Sequence, residues 1–154
     1  MQESKFKKYN HLKIHSQYSI CEGAVTIDSI RDKCKEHHIK SLGLCDTNNL
    51  CGAIEFSEKL SKVGTQPIIG TQINFKFDDT TGLLPLFALT EEGYKNIIEL
   101  SSKSYLENDG ISVNHCSLDD LLNIGNDIIL LSGTINGLIG KLFTKGRLVE
   151  IEKI

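Results

Sequence analysis

Three apolar runs in the first half of the chain each end in polar residues. Helix-like patterns separate these runs, and this alternation predicts βαβ units and a mainly parallel sheet. In an α/β barrel, the carboxyl ends of the strands bring polar side chains to one rim. An α/β fold is therefore expected, and all-α and all-β folds are excluded. The runs are His11-Leu12-Lys13-Ile14-His15-Ser16, Leu44-Cys45-Asp46-Thr47-Asn48-Asn49 and Pro67-Ile68-Ile69-Gly70-Thr71-Gln72.

Apolar residues spaced three and four apart predict the helices. Thr90 is the expected N-cap of one helix, because Glu91 and Glu92 follow it in the positively polarised first turn. The stretch from Ser117 to Asp120 resembles a capping box with Asp in the acidic position. The predicted apolar faces are Ile27, Ile30 and Cys34 after Thr26, then Ala53, Phe56, Leu60 and Val63 in a helix from Cys51 to Val63, then Tyr94, Ile97, Ile98 and Tyr105 after Thr90.

Short apolar runs predict the strands. The runs from Ile73 to Phe77 and from Leu83 to Leu89 flank a polar stretch, Asp78 to Gly82, which suits a hairpin. The other predicted strands are His11 to Ile14, Ser41 to Cys45, Gln66 to Ile69 and a buried strand from Ile128 to Leu131.

Charge and composition exclude several classes of protein. The net charge is -3 and the basic residues are scattered, so this segment is a poor candidate for gripping DNA itself. The stretch from Met1 to Lys8 lacks an apolar signal core, and no run approaches the roughly 18 apolar residues that cross a bilayer. The five cysteines have no CxxC spacing, and an odd number argues against a disulfide framework. We expect a cytoplasmic protein with reduced cysteines and no membrane partner.

The length bears on domain organisation. With 154 residues, the chain is expected to form one domain or a piece of one. A complete barrel of the predicted kind takes roughly 250 residues. The stretch from Arg147 to Ile154 is amphipathic and carries no terminating signal. Residues 1–154 are therefore expected to cover about the N-terminal half of a barrel, truncated before its later motifs.

Five ordered motifs point to a family. From about His11 to Leu142, the chain closely resembles the N-terminal PHP domain of the bacterial DNA polymerase III alpha subunit. The resemblance implies a distorted, TIM-like barrel at the front of a replicative polymerase whose palm, fingers and thumb would lie beyond Ile154. The motifs are His11 to Ser19, Glu22-Gly23-Ala24, Asp46 to Ala53, Pro67-Ile68-Ile69-Gly70 and Glu92-Gly93-Tyr94-Lys95-Asn96.

The resemblance also implies a set of metal-ligand positions. PHP domains that keep their chemistry hold several divalent metals that activate water for phosphoester hydrolysis. In this chain one ligand position falls on Lys13, a cation without a lone pair. Others fall on Thr47 and Gln72, which are neutral where the family has His and Glu, and a further His position falls on Leu83. The resemblance thus implies a degenerate site.

Three ligand positions keep residues that bind metal. They are His15, Glu22 and Asp46, and we expect no tight multi-metal cluster from them. For His15 the alternative is a hydrogen-bonding role at a strand end, and for Glu22 it is a loop feature. We hypothesise that Asp46 is the counter-ion of Lys13, so that Lys13→Ala harms folding more than catalysis. His37-His38 is expected in a solvated helix end.

The family implies a function for the parent protein. This segment would be a catalytically inactive scaffold within a template-directed DNA polymerase that uses Mg²⁺ in its other domains. It would stabilise the polymerase core and dock the proofreading exonuclease subunit among the holoenzyme subunits, while downstream domains contact DNA. One alternative is a free-standing PHP phosphoesterase with Zn²⁺ or Mn²⁺, acting on a phosphate ester or pyrophosphate. Another is an isolated scaffold with no polymerase attached.

Overall fold

The computed structural model describes residues 9–107, 110–125, 127–152 and 154. The stretch from Met1 to Lys8, and the expectation attached to it, lies outside the described residues. Helices and strands alternate, as the sequence pattern predicts. In chain order the elements are α1 (Ile27–Glu36), β1 (Ser41–Thr47), α2 (Ala53–Ser61), β2 (Gln66–Phe77), β3 (Thr80–Ala88), α3 (Glu91–Leu106), β4 (Cys116–Ser117), α4 (Leu118–Leu122), β5 (Ile128–Leu130), α5 (Leu138–Thr144) and α6 (Leu148–Ile151).

The sheet is built around β2. Strands β1 and β4 pair with β2 in parallel, whereas β3 pairs with it in antiparallel orientation. Strand β5 extends the sheet antiparallel to β3. Over the described ranges the sheet is mixed and does not close. The α/β prediction is confirmed, and an open sheet of this kind is what part of a distorted barrel presents.

The helices cover one face of this sheet. Alternate residues of a strand share a face, and the buried side chains of β1, β2 and β3 that meet the helices all have the same alternation. Thr47 and Gln72, which are paired across β1 and β2, lie on the opposite face. One core cluster joins α1, α2 and β1 through Ile27, Ile30, Cys34, Leu42, Leu44, Phe56 and Leu60. The other joins α3, α5 and the hairpin through Ile73, Phe75, Leu84, Leu86, Ile97, Leu100, Leu138 and Leu142.

The predicted hairpin is present but longer than expected. Asp78 and Asp79 alone form its turn, and residues from Thr80 onward already belong to β3. The predicted strands Gln66 to Ile69 and Ile73 to Phe77 are one continuous strand, β2.

Of the residues that the structure describes, none belong to a helix with the length and apolarity needed to cross a membrane.

The helix caps agree with the sequence prediction. The Thr26 hydroxyl accepts from Ser29 N at 3.2 Å, and the Thr90 hydroxyl accepts from Gly93 N at 3.1 Å. The capping box of Ser117 with Asp120 is also present. These bonds satisfy amides that the first helical turn leaves unpaired.

The predicted apolar face of α3 is partly wrong. Ile98 and Tyr105 are 42% and 53% exposed, and the buried side runs through Gly93, Ile97, Leu100 and Ser104. A close contact at Gly93 explains the difference, because a Cβ there would lie 2.0 Å from the Asp127 carbonyl oxygen. The helix therefore docks through its glycine, which turns part of the apolar stripe toward solvent.

Two predicted strands also differ. Ile129 in β5 is 42% exposed, so this strand is an edge strand rather than a buried one. The stretch from His11 to Ile14 is not a regular strand. It forms one parallel bridge to β1, between Ile14 and Leu44, and the Gly43 and Cys45 amides donate to the His11 and Ile14 carbonyls at 2.8 Å. Gly43 allows this stretch to lie so close to β1, because a Cβ there would lie 2.3 Å from the Leu12 carbonyl oxygen.

Candidate functional site

Most of the predicted site positions meet at the carboxyl end of β1. Asp46 and Thr47 are the last residues of that strand, and parallel pairing places Gln72 of β2 beside Thr47. The irregular segment that carries His15 runs alongside β1, and Glu22 follows in the next loop. This convergence is what the carboxyl ends of neighbouring parallel strands produce.

Asp46 is buried and accepts three hydrogen bonds from neutral donors. Its side chain accepts from the Ser16 amide at 2.6 Å and from the Ser16 hydroxyl at 2.7 Å. The Ser19 hydroxyl donates to it at 2.7 Å. The residue is 1% exposed, and each of its carboxylate oxygens already accepts at least one hydrogen bond. This carboxylate therefore anchors the loop after His15 to the end of β1.

A second set of contacts runs through Thr47. The Gln72 side-chain amide donates to the Thr47 hydroxyl at 2.7 Å, and that hydroxyl donates to the Glu22 carboxylate. His15 Nδ1 lies 3.7 Å from Glu22 Oε2. Ser19 joins this set to Asp46, because its hydroxyl also accepts from the Thr47 amide at 3.1 Å. We call these residues the site network: His15, Ser16, Ser19, Glu22, Asp46, Thr47 and Gln72.

The hypothesis that Asp46 is the counter-ion of Lys13 is wrong. Lys13 is exposed, whereas Asp46 is buried beneath the serines. No ion pair joins the two side chains in the described part of the chain. The hydrogen-bond donors to the Asp46 carboxylate are instead the Ser16 amide and the hydroxyls of Ser16 and Ser19. Lys13 lies in the irregular segment beside β1, and its side chain is exposed to solvent.

Leu83 lies apart from the site network. It sits on β3 opposite Asn74, whereas Gln72 pairs with Pro85. Its apolar side chain offers no hydrogen bond and no metal ligand. Leu83 lies on the same face of the β2–β3 pair as Gln72, two residues farther along it.

Sequence reasoning missed the two serines. Ser16 and Ser19 are buried and supply the side-chain donors to Asp46. The signal was available, because both stand in the motif from His11 to Ser19. They lie three residues apart in a turn, where the Ser19 amide donates to the Ser16 carbonyl at 3.0 Å.

Tyr18 ties the same loop to α2. Its hydroxyl donates to Glu55 Oε2 at 2.8 Å, and this hydrogen bond raises the pKa of the phenol. Lys59 first, and Tyr18 second, lower the pKa of the Glu55 carboxyl. The loop that carries the site serines is therefore held on both the strand side and the helix side.

The side chains grouped at the end of β1 are chemically poor ligands for a cluster of divalent metal ions. Thr47 and Gln72 supply a hydroxyl and an amide where anionic or imidazole ligands would be needed. The two oxygens of Asp46 already accept hydrogen bonds from Ser16 and Ser19. In the ranges described above, no three His, Cys, Asp or Glu side chains are grouped so that they could hold a metal ion. Burial raises the pKa of the Cys45 thiol to about 12.

A groove elsewhere on the molecule is separate from this site. It lies between α2 and α3, has a volume of about 450 Å³, and is lined by Ala53, Pro67, Ile69, Ala88 and Tyr94 among others. None of the predicted site positions lines it. The chemistry suggested by the sequence therefore belongs to the strand end and not to the groove.

The family model and the most similar relatives that follow agree on one family for this chain. The PHP domain model matches residues 11–154. The DNA polymerase III subunit alpha of Borreliella burgdorferi is 36% identical over 152 residues, covering 91% of this chain and 13% of that protein. The corresponding subunit of Rickettsia felis is 34% identical over 135 residues, covering 87% of this chain and 11% of that protein. The chain thus spans about a tenth of the length of these relatives.

Two solved structures share a weak likeness of fold. An amidohydrolase from Chromobacterium violaceum is 16% identical with a TM-score of 0.47, covering 61% of this chain and 34% of that one. A candidate metal-dependent phosphoesterase from Bifidobacterium adolescentis is 15% identical with a TM-score of 0.45, covering 94% and 51%. Likeness at this level carries no argument about function. The PHP domain model, in contrast, matches nearly the whole chain. The chain therefore belongs to the PHP domain family, as a homologue of the PHP domain of DNA polymerase III alpha subunits.

Proposed function

We propose that this chain is the PHP part of a replicative DNA polymerase III alpha subunit and acts as a structural scaffold without hydrolase activity. The observation that carries this proposal is the site network. Its Thr47 and Gln72 side chains hydrogen-bond to each other, and Asp46 is occupied by Ser16 and Ser19. The positions that would bind metal are thus used to hold the loop after His15 against β1 and β2.

The parent protein would then perform template-directed DNA synthesis. Relatives named as DNA polymerase III subunit alpha, matched over most of this chain, support that proposal. In this proposal, residues 1–154 form part of the PHP domain, and other domains hold Mg²⁺ and contact DNA. The protein would work in the cytoplasm among holoenzyme subunits and dock the proofreading exonuclease subunit.

The alternative is a metal-dependent phosphoesterase that acts on a phosphate ester or pyrophosphate. It would have to rely on His15, Glu22 and Asp46 as ligands for Zn²⁺ or Mn²⁺. Glu22 already accepts from Thr47, and Asp46 already accepts from the two serines. A metal would have to displace these donors, so the scaffold proposal has more support.

Metal analysis and a hydrolysis assay separate the two functions. The full 154-residue chain is purified without chelator, and its metal content and phosphoesterase turnover in Mn²⁺ are compared with those of His15→Gln. We expect less than stoichiometric metal and no turnover above that of the variant. Stoichiometric metal with turnover that His15→Gln abolishes would overturn the scaffold proposal and restore the hydrolase.

The attachment to a polymerase has its own test. Sequencing the gene beyond the codon for Ile154 should reveal a continuous reading frame with the palm carboxylates needed for nucleotidyl transfer. A stop codon in the genomic sequence, with no polymerase region following, would favour the isolated scaffold instead.

A further inference from the structure

The groove between α2 and α3 continues into an exposed apolar stripe on α3. This α2–α3 groove has a volume of about 450 Å³ and is lined by strand residues such as Pro67 and Ala88, and by Tyr94 of α3. Ile98 and Tyr105 follow Tyr94 along the same side of the helix and are 42% and 53% exposed. From Tyr94 to Tyr105 the helix rises roughly 16 Å. The apolar surface is therefore elongated.

The topology of the sheet explains why the groove is open. A two-residue turn joins β2 to β3, and no helix lies between α2 and α3 within the described residues 62–90. Pairing of β2 with β3 begins at Gly70, so the first residues of β2 border the groove. Further strands of a barrel would add at the outer strands of the sheet, whereas the groove lies over β2, which is paired on both sides. Its occupant is therefore expected from outside the barrel.

The groove suits a helix better than a strand. The free edge of β2 beside it covers residues 66–69 only, and Pro67 has no amide to donate to an added strand. Its walls are side chains of two helices, with Ile54 and Ser57 on α2 and Tyr94 on α3. An amphipathic helix binds such a surface through apolar side chains spaced three and four residues apart.

The charges around the groove favour a basic partner. Glu58 lines the groove from α2, is exposed, and forms no ion pair with any residue in the described ranges. Glu91 and Glu92 follow the lining residue Thr90 and share one cation, Lys95, at 3.3 and 3.4 Å. Of the described residues that line the groove, none is Lys or Arg. Carboxylates thus outnumber cations on both walls, which attracts positive side chains.

We propose that the α2–α3 groove is the docking site for an amphipathic helix of a second protein, with Lys or Arg beside the apolar face of that helix. The apolar face packs on the floor of the groove and on the stripe from Tyr94 to Tyr105. The basic side chains face Glu58 on one wall and Glu91 with Glu92 on the other. This inference rests on the scaffold function proposed above, because it names a surface through which the scaffold holds a neighbouring protein.

A displayed library of helical peptides, each about four turns long, tests the proposal by selection on the full 154-residue chain. We expect enriched peptides to have large apolar residues three and four apart, with Lys or Arg beside them. Fluorescence anisotropy then measures the affinity of the most enriched peptide. Ile54→Gln should weaken it at least about tenfold. Ile135→Gln is the matched control, since both isoleucines are 70% exposed and Ile135 does not line the groove.

A charge reversal tests the basic character of the partner. Glu58→Lys should weaken the enriched peptide about threefold or more, and it should strengthen binding of a peptide in which Glu replaces every Lys and Arg. Glu152→Lys changes the net charge equally, is exposed and lies away from the groove, so both peptides should bind it as they bind wild type. Urea unfolding confirms that each variant is folded.

Several outcomes would overturn the proposal. They include a library without enrichment, enriched peptides that are acidic, and equal effects of Ile54→Gln and Ile135→Gln. A dimer in sedimentation velocity that Ile54→Gln dissociates would show that a second copy of this chain fills the groove. The enriched peptide should also bind the longer parent protein, and its exclusion there would assign the groove to a segment of the parent itself.

Failure of this inference differs from failure of the proposed function. Turnover in Mn²⁺ that His15→Gln abolishes contradicts the scaffold function, whatever the peptide does. A peptide that binds Ile54→Gln as tightly as wild type contradicts the groove assignment and leaves the metal and hydrolysis results unchanged.

Discussion

Ser19 holds the two parts of the site network together. Its hydroxyl donates to Asp46, accepts from the Thr47 amide and lies 3.4 Å from His15 Nδ1. A hydroxyl can do this because it has one proton and two lone pairs. The loop after His15 is therefore fixed by small polar side chains.

Asp46→Asn should destabilise the chain by about 2 kcal/mol. The amide NH₂ of Asn would face the Ser16 and Ser19 donors, which now bond to a carboxylate. Urea unfolding measures the loss, and Asp32→Asn is the control because the Asp32 side chain is 66% exposed. Equal losses in the two variants would contradict the buried role of Asp46.

Lys13→Ala should change the unfolding free energy by less than about 0.5 kcal/mol, as exposed substitutions usually do. Lys13 is exposed and makes no ion pair with Asp46, as described above. Lys59→Ala is the comparison, since Lys59 bridges Asp28 at 2.8 Å and Glu55 at 2.7 Å. A greater loss of thermal stability for Lys13→Ala than for Lys59→Ala would revive the counter-ion hypothesis.

Part of this site could be predicted from the sequence alone. The pairing of Thr47 with Gln72 follows from two apolar runs that form neighbouring parallel strands. The lack of an ion pair between Lys13 and Asp46 in the described part of the chain could not be predicted, because the alternation of side chains applies only to regular strands. The stretch around Lys13 makes one bridge to β1 and is otherwise irregular.

At the scale of elements, ion pairs join the turn of the β2–β3 hairpin to the connection between α5 and α6. Arg147 reaches Asp78 and Asp79 in the turn, and it also pairs with Glu150 at 3.2 Å. Its guanidinium carbon lies 5.4 Å from the centre of the Phe77 ring. The connection between α5 and α6 is therefore held against the tip of the β2–β3 hairpin.

Arg147→Lys should lower stability more than Arg31→Lys. A planar guanidinium can meet several carboxylates and stack on a ring, whereas an ammonium cannot reproduce that geometry. Among the described residues, Arg31 pairs with neighbours on its own helix alone, Asp28 and Asp32. The shift of the urea midpoint measures both effects, and an Arg147→Lys shift no larger than that of Arg31→Lys would show that the fork and the ring contact contribute nothing.

The elements themselves were largely predictable, and their orientations were not. The caps at Thr26, Thr90 and Ser117 are local, so the sequence contains the information for them. The rotation of α3 depends on the approach of Gly93 to Asp127, two residues that are distant in the chain. Apolar periodicity cannot reveal such a contact.

At the scale of the whole molecule, the cysteines divide by burial. Cys21 and Cys51 are exposed, whereas Cys34, Cys45 and Cys116 are buried. Burial raises the pKa of Cys45 to about 12 and that of Cys116 to about 11, from an ordinary value of 9.0. The folded chain therefore keeps thiol protons that the unfolded chain gives up near pH 9.

The unfolding free energy should fall as the pH rises from about 9 toward 12. In that interval the folded state binds more protons than the unfolded state, which makes the slope of stability against pH negative. Below pH 9 both states keep the thiol protons, and this contribution is complete. Denaturant unfolding at a series of pH values checks the slope, and Cys45→Ala should make it shallower. An unchanged slope in that variant would exclude Cys45 as a cause.

The two-residue turn of the hairpin also has a consequence for folding kinetics. Pairing of β2 with β3 closes a much shorter loop than pairing of β2 with β1, so its entropic cost is lower. We expect the hairpin to form in the transition state and to template the parallel strands afterwards. Ile73→Val should then mainly slow refolding in a chevron analysis, whereas Asp46→Asn should mainly speed unfolding. We therefore expect the polar end of β1 to become ordered after the hairpin.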